Sequence, residues 1–225
     1  MKTLFLTGGR GNIGEAIKAK FEQMGYIVIA PASSELDLSD LACIKKYLNN
    51  VNDIDAIIHC AGFNSPKLMN DLSYEDIQKT SDINFISFFE IVKLLSPHMK
   101  EKKQGHILGI SSLYGTITRK GRLAYTASKH ALNGIVKTMA CELGTYNILV
   151  NSLSPGFVDT KMTRKNNTEE QIKNMESKIP LGRLANVKDI ANAAYFLCSE
   201  DNTYITGQNI IVDGGFMAEG GQGNV

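Results

Sequence analysis

No tryptophan occurs in the sequence, prolines number only five, and no apolar run approaches the roughly twenty residues that a membrane-spanning helix requires. The first residues, Met1-Lys2-Thr3-Leu4-Phe5-Leu6, break at Thr7-Gly8-Gly9, too short an apolar stretch for a signal peptide. Cysteine is scarce and scattered: Cys43, Cys60, Cys141 and Cys198 form no C-x-x-C pair, which points to free thiols in a reducing cytoplasm. The four histidines, His59, His98, His106 and His130, lack metal-ligand spacing, so no metal site is expected. A formal net charge of +1 argues against a general nucleic-acid binder and against a polybasic membrane anchor. The expectation is a soluble cytoplasmic protein with neither nucleic acid nor membrane as partner.

What is present is ordinary globular composition, 43% apolar and 21% charged over 225 residues, enough for one domain across 1–225. Short apolar runs alternate with longer stretches of helical period, the pattern of a parallel sheet covered on both faces. Strands are expected at Thr3–Leu6, Tyr26–Ala30, Ala56–His59, His106–Ser111, Leu149–Leu153 and Asn209–Val212. Helices are expected at about 12–24, 40–50, 73–102, 123–143 and 187–198. Ser39-Asp40 precedes the second of these, and Asn186 with Asp189 three residues later reads as an N-cap with an acidic first turn. A tail over 218–225, rich in glycine from Gly220, is expected to be flexible.

One connection is short. Only the residues between Ala30 and Leu36 separate the second strand from the next extended piece, Leu36-Asp37-Leu38. A parallel crossover needs about a dozen residues, so no helix fits there. Either Leu36–Leu38 stands outside the ladder, or that edge of the sheet is truncated.

Two groups of residues carry chemistry. Thr7-Gly8-Gly9-Arg10-Gly11-Asn12-Ile13-Gly14 follows the first strand and opens the first helix. Glycines there let a pyrophosphate approach the N–H groups of the helix N-terminus. Tyr125 and Lys129, four apart, share one helix face, with Ser112 thirteen residues upstream of Tyr125. A neighbouring ammonium favours the phenolate and suits the tyrosine to exchange a proton with an alcohol or ketone oxygen.

These motifs, taken in order, resemble the short-chain dehydrogenase/reductase family, and the resemblance covers nearly the whole chain. Thr7, Gly8 and Gly14 match its T-G-x-x-x-G-x-G; Asn12 replaces the middle glycine, a position where its tolerance of positive φ would preserve the turn. His59-Cys60-Ala61-Gly62 looks like the family's N-A-G with Cys60 for the asparagine. Leu36-Asp37-Leu38 looks like the stretch whose aspartate meets the adenine. Asn151-Ser152-Leu153-Ser154-Pro155-Gly156-Phe157-Val158-Asp159-Thr160 is similar to the segment that holds the nicotinamide carboxamide. Pro180-Leu181-Gly182-Arg183, Tyr204–Gln208 and Val212–Gly215 resemble the C-terminal signature of bacterial 3-oxoacyl-carrier-protein reductases.

The resemblance implies a Rossmann-type doubly wound sheet, truncated between strands two and three, and an NAD(P)-dependent oxidoreductase. It places catalysis on Asn84, Ser112, Tyr125 and Lys129. Cofactor contacts fall on Thr7, Gly8, Arg10, Asn12, Ile13, Gly14, Ser33, Asp37, Leu38, Cys60, Ala61, Gly62, Tyr125, Lys129, Pro155, Gly156, Val158 and Thr160. In that scheme Lys129 lowers the Tyr125 pKa, and Asn84 supports a water near the lysine. The second strand ends in Ala30-Pro31-Ala32-Ser33-Ser34 with no acid before Glu35; Arg10 and the serine hydroxyls favour NADP(H) over NAD(H).

A substrate lid is implied near 157–180. Six cations, Arg119, Lys120, Arg122, Lys161, Arg164 and Lys165, surround the expected mouth and suggest an anionic small-molecule or carrier-bound carbonyl substrate. A 3-oxoacyl-carrier-protein reductase, a ketoreductase of a sugar or nucleotide-sugar pathway, and a cofactor-sensing binding protein are the readings carried forward. The family also implies a homotetramer or homodimer, and Phe85, Phe88, Phe89, Val92 and Leu95 supply more apolar surface than one core stripe needs.

Overall fold

Along each strand, successive side chains point to opposite faces, and here both faces are apolar. Leu4 and Leu6 enter one core cluster and Phe5 the other; Ala56 and Ile58 alternate with Ile57 in the same way. That pattern suits only a sheet covered on both sides. The computed structural model describes residues 1–219 and has this architecture.

Six parallel strands, β1 (Thr3–Thr7), β2 (Ile27–Ile29), β3 (Ala56–His59), β4 (Gly105–Ile110), β5 (Ile148–Pro155) and β6 (Asn209–Val212), lie in the order β2-β1-β3-β4-β5-β6. Helices α1 (Asn12–Gln23) and α2 (Leu41–Leu48) follow the first two strands. Next come α3 (Tyr74–Ser81) and α4 (Ser87–Lys102), joined through a π-helical turn at Asp82–Ile86. Then follow α5 (Leu123–Leu143), α6 (Lys161–Asn166), α7 (Glu169–Glu176) and α8 (Val187–Cys198). One core cluster takes Phe88, Ile91 and Leu95 of α4 with Leu132 and Val136 of α5. The other takes Ile17 and Phe21 of α1 with Ile190 and Ala194 of α8. Each fully buried isoleucine or phenylalanine contributes about 1.5–3 kcal/mol, so these two layers hold the sheet.

The helix starts carry the expected chemistry. Asp40 accepts from the Ala42 N–H at 2.8 Å. Asn186 and Asp189 cap each other's backbone reciprocally, and Arg183 pairs with Asp189 at 2.8 Å.

Between β2 and α2 there is no strand and no helix. Leu36–Leu38 stands outside the ladder, as one of the two alternatives for this connection requires. Leu36 is nonetheless buried in the core, so the short loop is anchored.

The apolar surplus expected on the long helix is mostly absorbed within the chain. Phe88, Val92 and Leu95 are buried and Phe85 packs partly against them, which leaves Phe89 exposed at 43%. Ala218 and Glu219, at the start of the expected tail, hydrogen-bond back to Gly215, and the rest of that tail lies outside the described residues. Among the described residues, no helix is long and apolar enough to cross a membrane.

Candidate functional site

The C-terminal ends of β1, β3, β4 and β5 converge on one edge of the sheet, where an open α/β fold places its ligands. The turn after β1 needs its glycines for identifiable reasons. Gly8 has φ +69°, and a Cβ on it would come 2.6 Å from the Ala61 N atom. A Cβ on Gly14 would come 2.1 Å from the Gly8 carbonyl oxygen, so α1 lies directly under the turn. Asn12 differs from expectation. It is the first residue of α1 and is not among the positive-φ positions, so the turn is kept by Gly8 and by Gly11 as N-cap, without left-handed geometry at Asn12.

A cleft of about 400 Å³ opens above this turn, lined by Thr7, Gly8, Arg10, Ser33, Asp37, Leu38, Cys60, Ala61 and Gly62 among others. Those nine come together as expected; Asn12, Ile13 and Gly14 lie below it, and Ser34 does not line it. The narrow glycine cradle and the free helix N-terminus fit a dinucleotide pyrophosphate. Arg10 reaches 4.0 Å from Glu35, whose carboxylate also accepts from the Ala32 N–H at 2.7 Å. Asp37 lines the cleft, but its Oδ1 already accepts from the Ser39 N–H at 2.8 Å and from the Ser39 hydroxyl at 2.6 Å. Those bonds hold its carboxyl below the usual range. Asp37 therefore acts first as a turn former.

Thr7 links two strands. Its hydroxyl accepts from the Ala61 N–H at 3.2 Å and donates to His59 Nδ1 at 2.9 Å. His59 Nε2 in turn donates to the Ile83 carbonyl at 3.0 Å; a carbonyl can only accept, which fixes the tautomer. Burial, with the Lys129 charge nearby, depresses the His59 pKa to about 3, so the ring is neutral.

The π-helical turn explains the buried polar residue of the long helix. It interrupts the regular α-helical hydrogen bonding, and the Ile83 carbonyl accepts from His59 and from the Ser87 hydroxyl. It also turns Asn84 fully inward. Asn84 Oδ1 accepts from the Phe63 N–H at 2.7 Å, while Nδ2 donates to the Phe63 carbonyl at 3.0 Å and to Ser128 Oγ at 2.8 Å. Both amide hydrogens are thus committed. The expected water-supporting role is left with a single Oδ1 lone pair, because the side chain fastens the loop after β3 to α5.

On α5, Tyr125 and Lys129 share a face, and Lys129 Nζ lies 5.6 Å from the Tyr125 ring centre. Lys129 is buried and donates to the Ile110 carbonyl at the end of β4, at 2.7 Å. Desolvation brings its pKa down to about 8, with the Cys60 thiol opposing weakly. Burial of the Cys60 thiol itself pushes it up to about 12.

Tyr125 departs from expectation. Burial raises its pKa above the ordinary 10, and the groups that oppose the rise are the Ser112 hydroxyl and the Arg122 charge, not Lys129. The ammonium is aimed at the Ile110 carbonyl and is itself partly desolvated, which accounts for the difference. Ser112 follows β4 and accepts from the Tyr114 N–H at 3.2 Å, with its hydroxyl near the phenol. Asn84 joins this group through Ser128, and a Cβ on Gly62 would come 3.8 Å from both Asn84 Oδ1 and Lys129 Nζ.

A second cleft, about 490 Å³, opens beside Ser112. Pro155 and Gly156 line it, whereas Val158 and Thr160 do not; Thr160 caps α6 by accepting from the Thr163 N–H at 3.1 Å. Of the six expected cations, Arg119 alone lines it. Lys120 and Arg122 line a neighbouring groove, which Arg119 shares. Arg164 is bound bidentately to Asp159, at 2.8 and 2.7 Å, and Lys161 and Lys165 line neither.

Several residues of the site carried no signal in the motifs. Ser128 relays Asn84 to the Tyr125 carbonyl at 2.8 Å. Asn133, one turn beyond Lys129, donates to the Gly115 carbonyl at 3.1 Å behind the Ser112 turn. Lys178 lines the second cleft from beyond α7. The position of Asn133 at i+4 from Lys129 is the one clue the sequence offered.

A glycine turn at a helix N-terminus, beside a half-buried tyrosine and a buried lysine at the strand ends, defines an oxidoreductase built for a dinucleotide. The chain belongs to the short-chain dehydrogenase/reductase family and is an NAD(P)-dependent oxidoreductase acting on CH–OH/C=O groups. Residues 12–217 match the family described as enoyl-(acyl carrier protein) reductase. The 3-oxoacyl-[acyl-carrier-protein] reductase of Rickettsia felis is 34% identical, with 96% of this chain and 97% of that protein covered. That of Thermotoga maritima is 32% identical, with 96% and 98% covered. Among solved structures, 4-hydroxyisoleucine dehydrogenase complexed with NADH aligns at TM-score 0.92 and 29% identity over 97% of this chain and 99% of that one. ElxO with NADP bound aligns at 0.88 and 24% over 96% and 99%, a likeness of fold.

Proposed function

We propose that the protein is an NADPH-dependent carbonyl reductase in which Tyr125 is the proton donor. The observation that carries this reading is the half-buried phenol, held above its ordinary pKa and facing Ser112 at the end of β4. A phenol so placed stays protonated near neutral pH and suits donation to an oxygen gaining negative charge. That is the direction of ketone reduction.

Bound nicotinamide supplies the hydride to the carbonyl carbon. Ser112 donates a hydrogen bond to the carbonyl oxygen and stabilises its developing charge. Tyr125 transfers its proton to that oxygen, and the Ser112 hydroxyl and the Arg122 charge, which oppose the rise of its pKa, stabilise the phenolate left behind, while Lys129 is assigned to the cofactor. Asn84 and Ser128 position the Tyr125 backbone. Asn12, Ile13, Gly14, Cys60–Gly62, Pro155, Gly156, Val158 and Thr160 are assigned to the cofactor site on the strength of the family match, and Thr7 and Gly8 because they line the same cleft. Arg10 and Ser33, at a β2 end without an acid before Glu35, support NADP(H) over NAD(H).

Residues 157–180 are read as the substrate lid, and the unpaired thiols suit a cytoplasmic protein. The relatives' activity supports a 3-oxoacyl thioester as substrate. A ketoreductase of a sugar-type metabolite is the second reading, favoured by the polar side chains of Asn167, Gln171 and Asn174 in the cleft. A homotetramer or homodimer is proposed through the exposed Phe89 and through Tyr204 and Ile211 near the β6 edge. A sedimentation run at micromolar concentration with monomer alone rejects the assembly.

Tyr125→Phe tests the mechanism. The expected result is a fall in kcat of about a hundredfold or more with NADPH binding retained, because only the donor proton is lost. Reduction within tenfold of wild type sinks it. Retained NADPH binding with no turnover of any ketone by the wild type would favour a cofactor-sensing protein instead.

A further inference from the structure

The cleft beside Ser112 is built from two walls of different character. Its inner wall is apolar, with Leu113, Ile117, Phe157 and Phe216. Its outer wall comes from the α6–α7 segment, where Asn167, Gln171, Asn174 and Lys178 follow one another at intervals of four, three and four residues. Gln171 and Asn174 share one face of α7, Asn167 is the extended residue between α6 and α7, and Lys178 follows the α7 C-cap. Ile172 and Ile179 are buried against Leu184. The segment therefore buries Ile172 and Ile179 against the protein and turns Asn167, Gln171, Asn174 and Lys178 to the cleft, with Met175 the one apolar side chain it adds beside Phe157 and Phe216. A wall meant for an alkyl chain would carry the reverse.

Charge follows the same pattern. Among the described residues, no carboxylate lines this cleft. Three other cations are neutralised within the chain, Lys67 by Asp76 at 2.6 Å, Arg164 by Asp159 at 2.7 Å and Arg183 by Asp189 at 2.8 Å, whereas Lys120 and Arg122 line the neighbouring groove and Lys161 and Lys165 line neither. Arg119 and Lys178 enter the cleft from different elements, and neither is among the ion pairs of the described residues. A guanidinium and an ammonium left unpaired in one cleft of about 490 Å³ suit an oxyanion, which the guanidinium can grip through two N–H groups.

We propose that the substrate is a small, hydroxylated carbonyl compound bearing a carboxylate or a phosphate. Arg119 and Lys178 hold its anionic group, the amides of Asn167, Gln171 and Asn174 take its hydroxyls, and the apolar wall covers its C–H face. This rests on the carbonyl-reductase reading and names the substrate class for the same site.

The test uses the purified protein, with thermal unfolding measured in D-gluconate, D-glucose 6-phosphate and neutral sorbitol. These probes separate a carboxylate from a phosphate, and both from hydroxyls alone. The expected result is a rise in Tm with at least one anionic polyol, none with sorbitol, and loss of the rise in Arg119→Met and in Lys178→Met. Both side chains are at the cleft surface, so the variants are expected to fold.

In parallel, reduction of a hydroxylated keto acid is compared with its neutral amide and with an acetoacetyl thioester, in the presence of NADPH. The keto acid should have the highest kcat/KM. Its advantage over the amide should fall roughly tenfold or more in each variant. No rise with either anion, an equal rise in the variants, or a thioester preference that both variants retain would overturn the proposal. An anion-dependent rise lost in both variants, without turnover of any carbonyl, would instead overturn the reductase reading and leave the anion site standing.

Discussion

Asn84 Nδ2 stands 2.8 Å from Ser128 Oγ and ties the π-helical turn to the helix that carries Tyr125 and Lys129. Through the Ser128 bond to the Tyr125 carbonyl, the loop after β3 and the phenol belong to one hydrogen-bonded unit. Replacing Asn84 by Leu removes three bonds and leaves the Phe63 N–H and carbonyl without that partner. Each partly buried group so abandoned costs about 1 kcal/mol, toward the low end of the range for a buried one. Asn84→Leu is expected to lose at least about 2 kcal/mol in urea unfolding. A loss below about 0.5 kcal/mol would mean that the turn is held by other contacts.

If Lys129 holds the cofactor as proposed, its titration should give cofactor binding a pH dependence. Burial lowers its pKa from 10.5 to about 8, so the ammonium is mostly intact at pH 7 and mostly lost at pH 9. NADPH affinity, read by fluorescence titration, should weaken about fivefold between pH 8 and pH 9. Lys129→Met should bind weakly at every pH and show a flat profile. An unchanged slope in that variant would assign the titration to another group.

His59 acts on stability in the opposite range. Its folded pKa, about 3, lies below the unfolded 6.5, so between those values the unfolded chain binds a proton that the native ring refuses. Its contribution is complete above pH 6.5 and is lost as pH falls toward 3, at about 1.4 kcal/mol per unit. His106, also lowered by burial, adds a slope of the same sign. Unfolding free energies from pH 7 to pH 5 should therefore fall more steeply for wild type than for His59→Asn. Parallel slopes would show that the His59 ring is protonated in the native protein.

The proposed choice of NADPH over NADH is tested at Arg10. It lies at the cleft mouth, 4.0 Å from Glu35. Arg10→Ala should weaken NADPH by about ten- to a hundredfold, the loss of one charge-assisted contact to a phosphate, and NADH far less. Equal losses for both cofactors would refute the 2′-phosphate assignment.

The sheet was legible because each strand alternates over two apolar faces, and Ala56–His59 and Asn209–Val212 fall where the sequence pattern puts them. So do α5 and α8, whose buried stripes are long. The π-helical turn was not legible, since five residues carry too little periodicity to separate a wider turn from an α-helix. Nor were α6 and α7, whose polar stripe faces a cleft and leaves few apolar positions to mark them. Ser112, Tyr125 and Lys129 were found by spacing, whereas Ser128, Asn133 and Lys178 matter through contacts distant in sequence. The Tyr125 pKa was misjudged because burial outweighs the charge of a lysine that is itself buried.

The missing strand beside β2 also bears on how this protein avoids aggregation. β2 is an edge, paired with β1 alone, so one row of its N–H and carbonyl groups is open to a strand from another molecule. Three residues, Ile27–Ile29, offer too short a template for a stable cross-molecule ladder. Gly25 precedes the strand with φ +84°, and Pro31, which has no N–H to donate, closes it within two residues. Lengthening β2 by Pro31→Val, with its apolar Ile27 already half exposed, should convert this blunt margin into a sticky one.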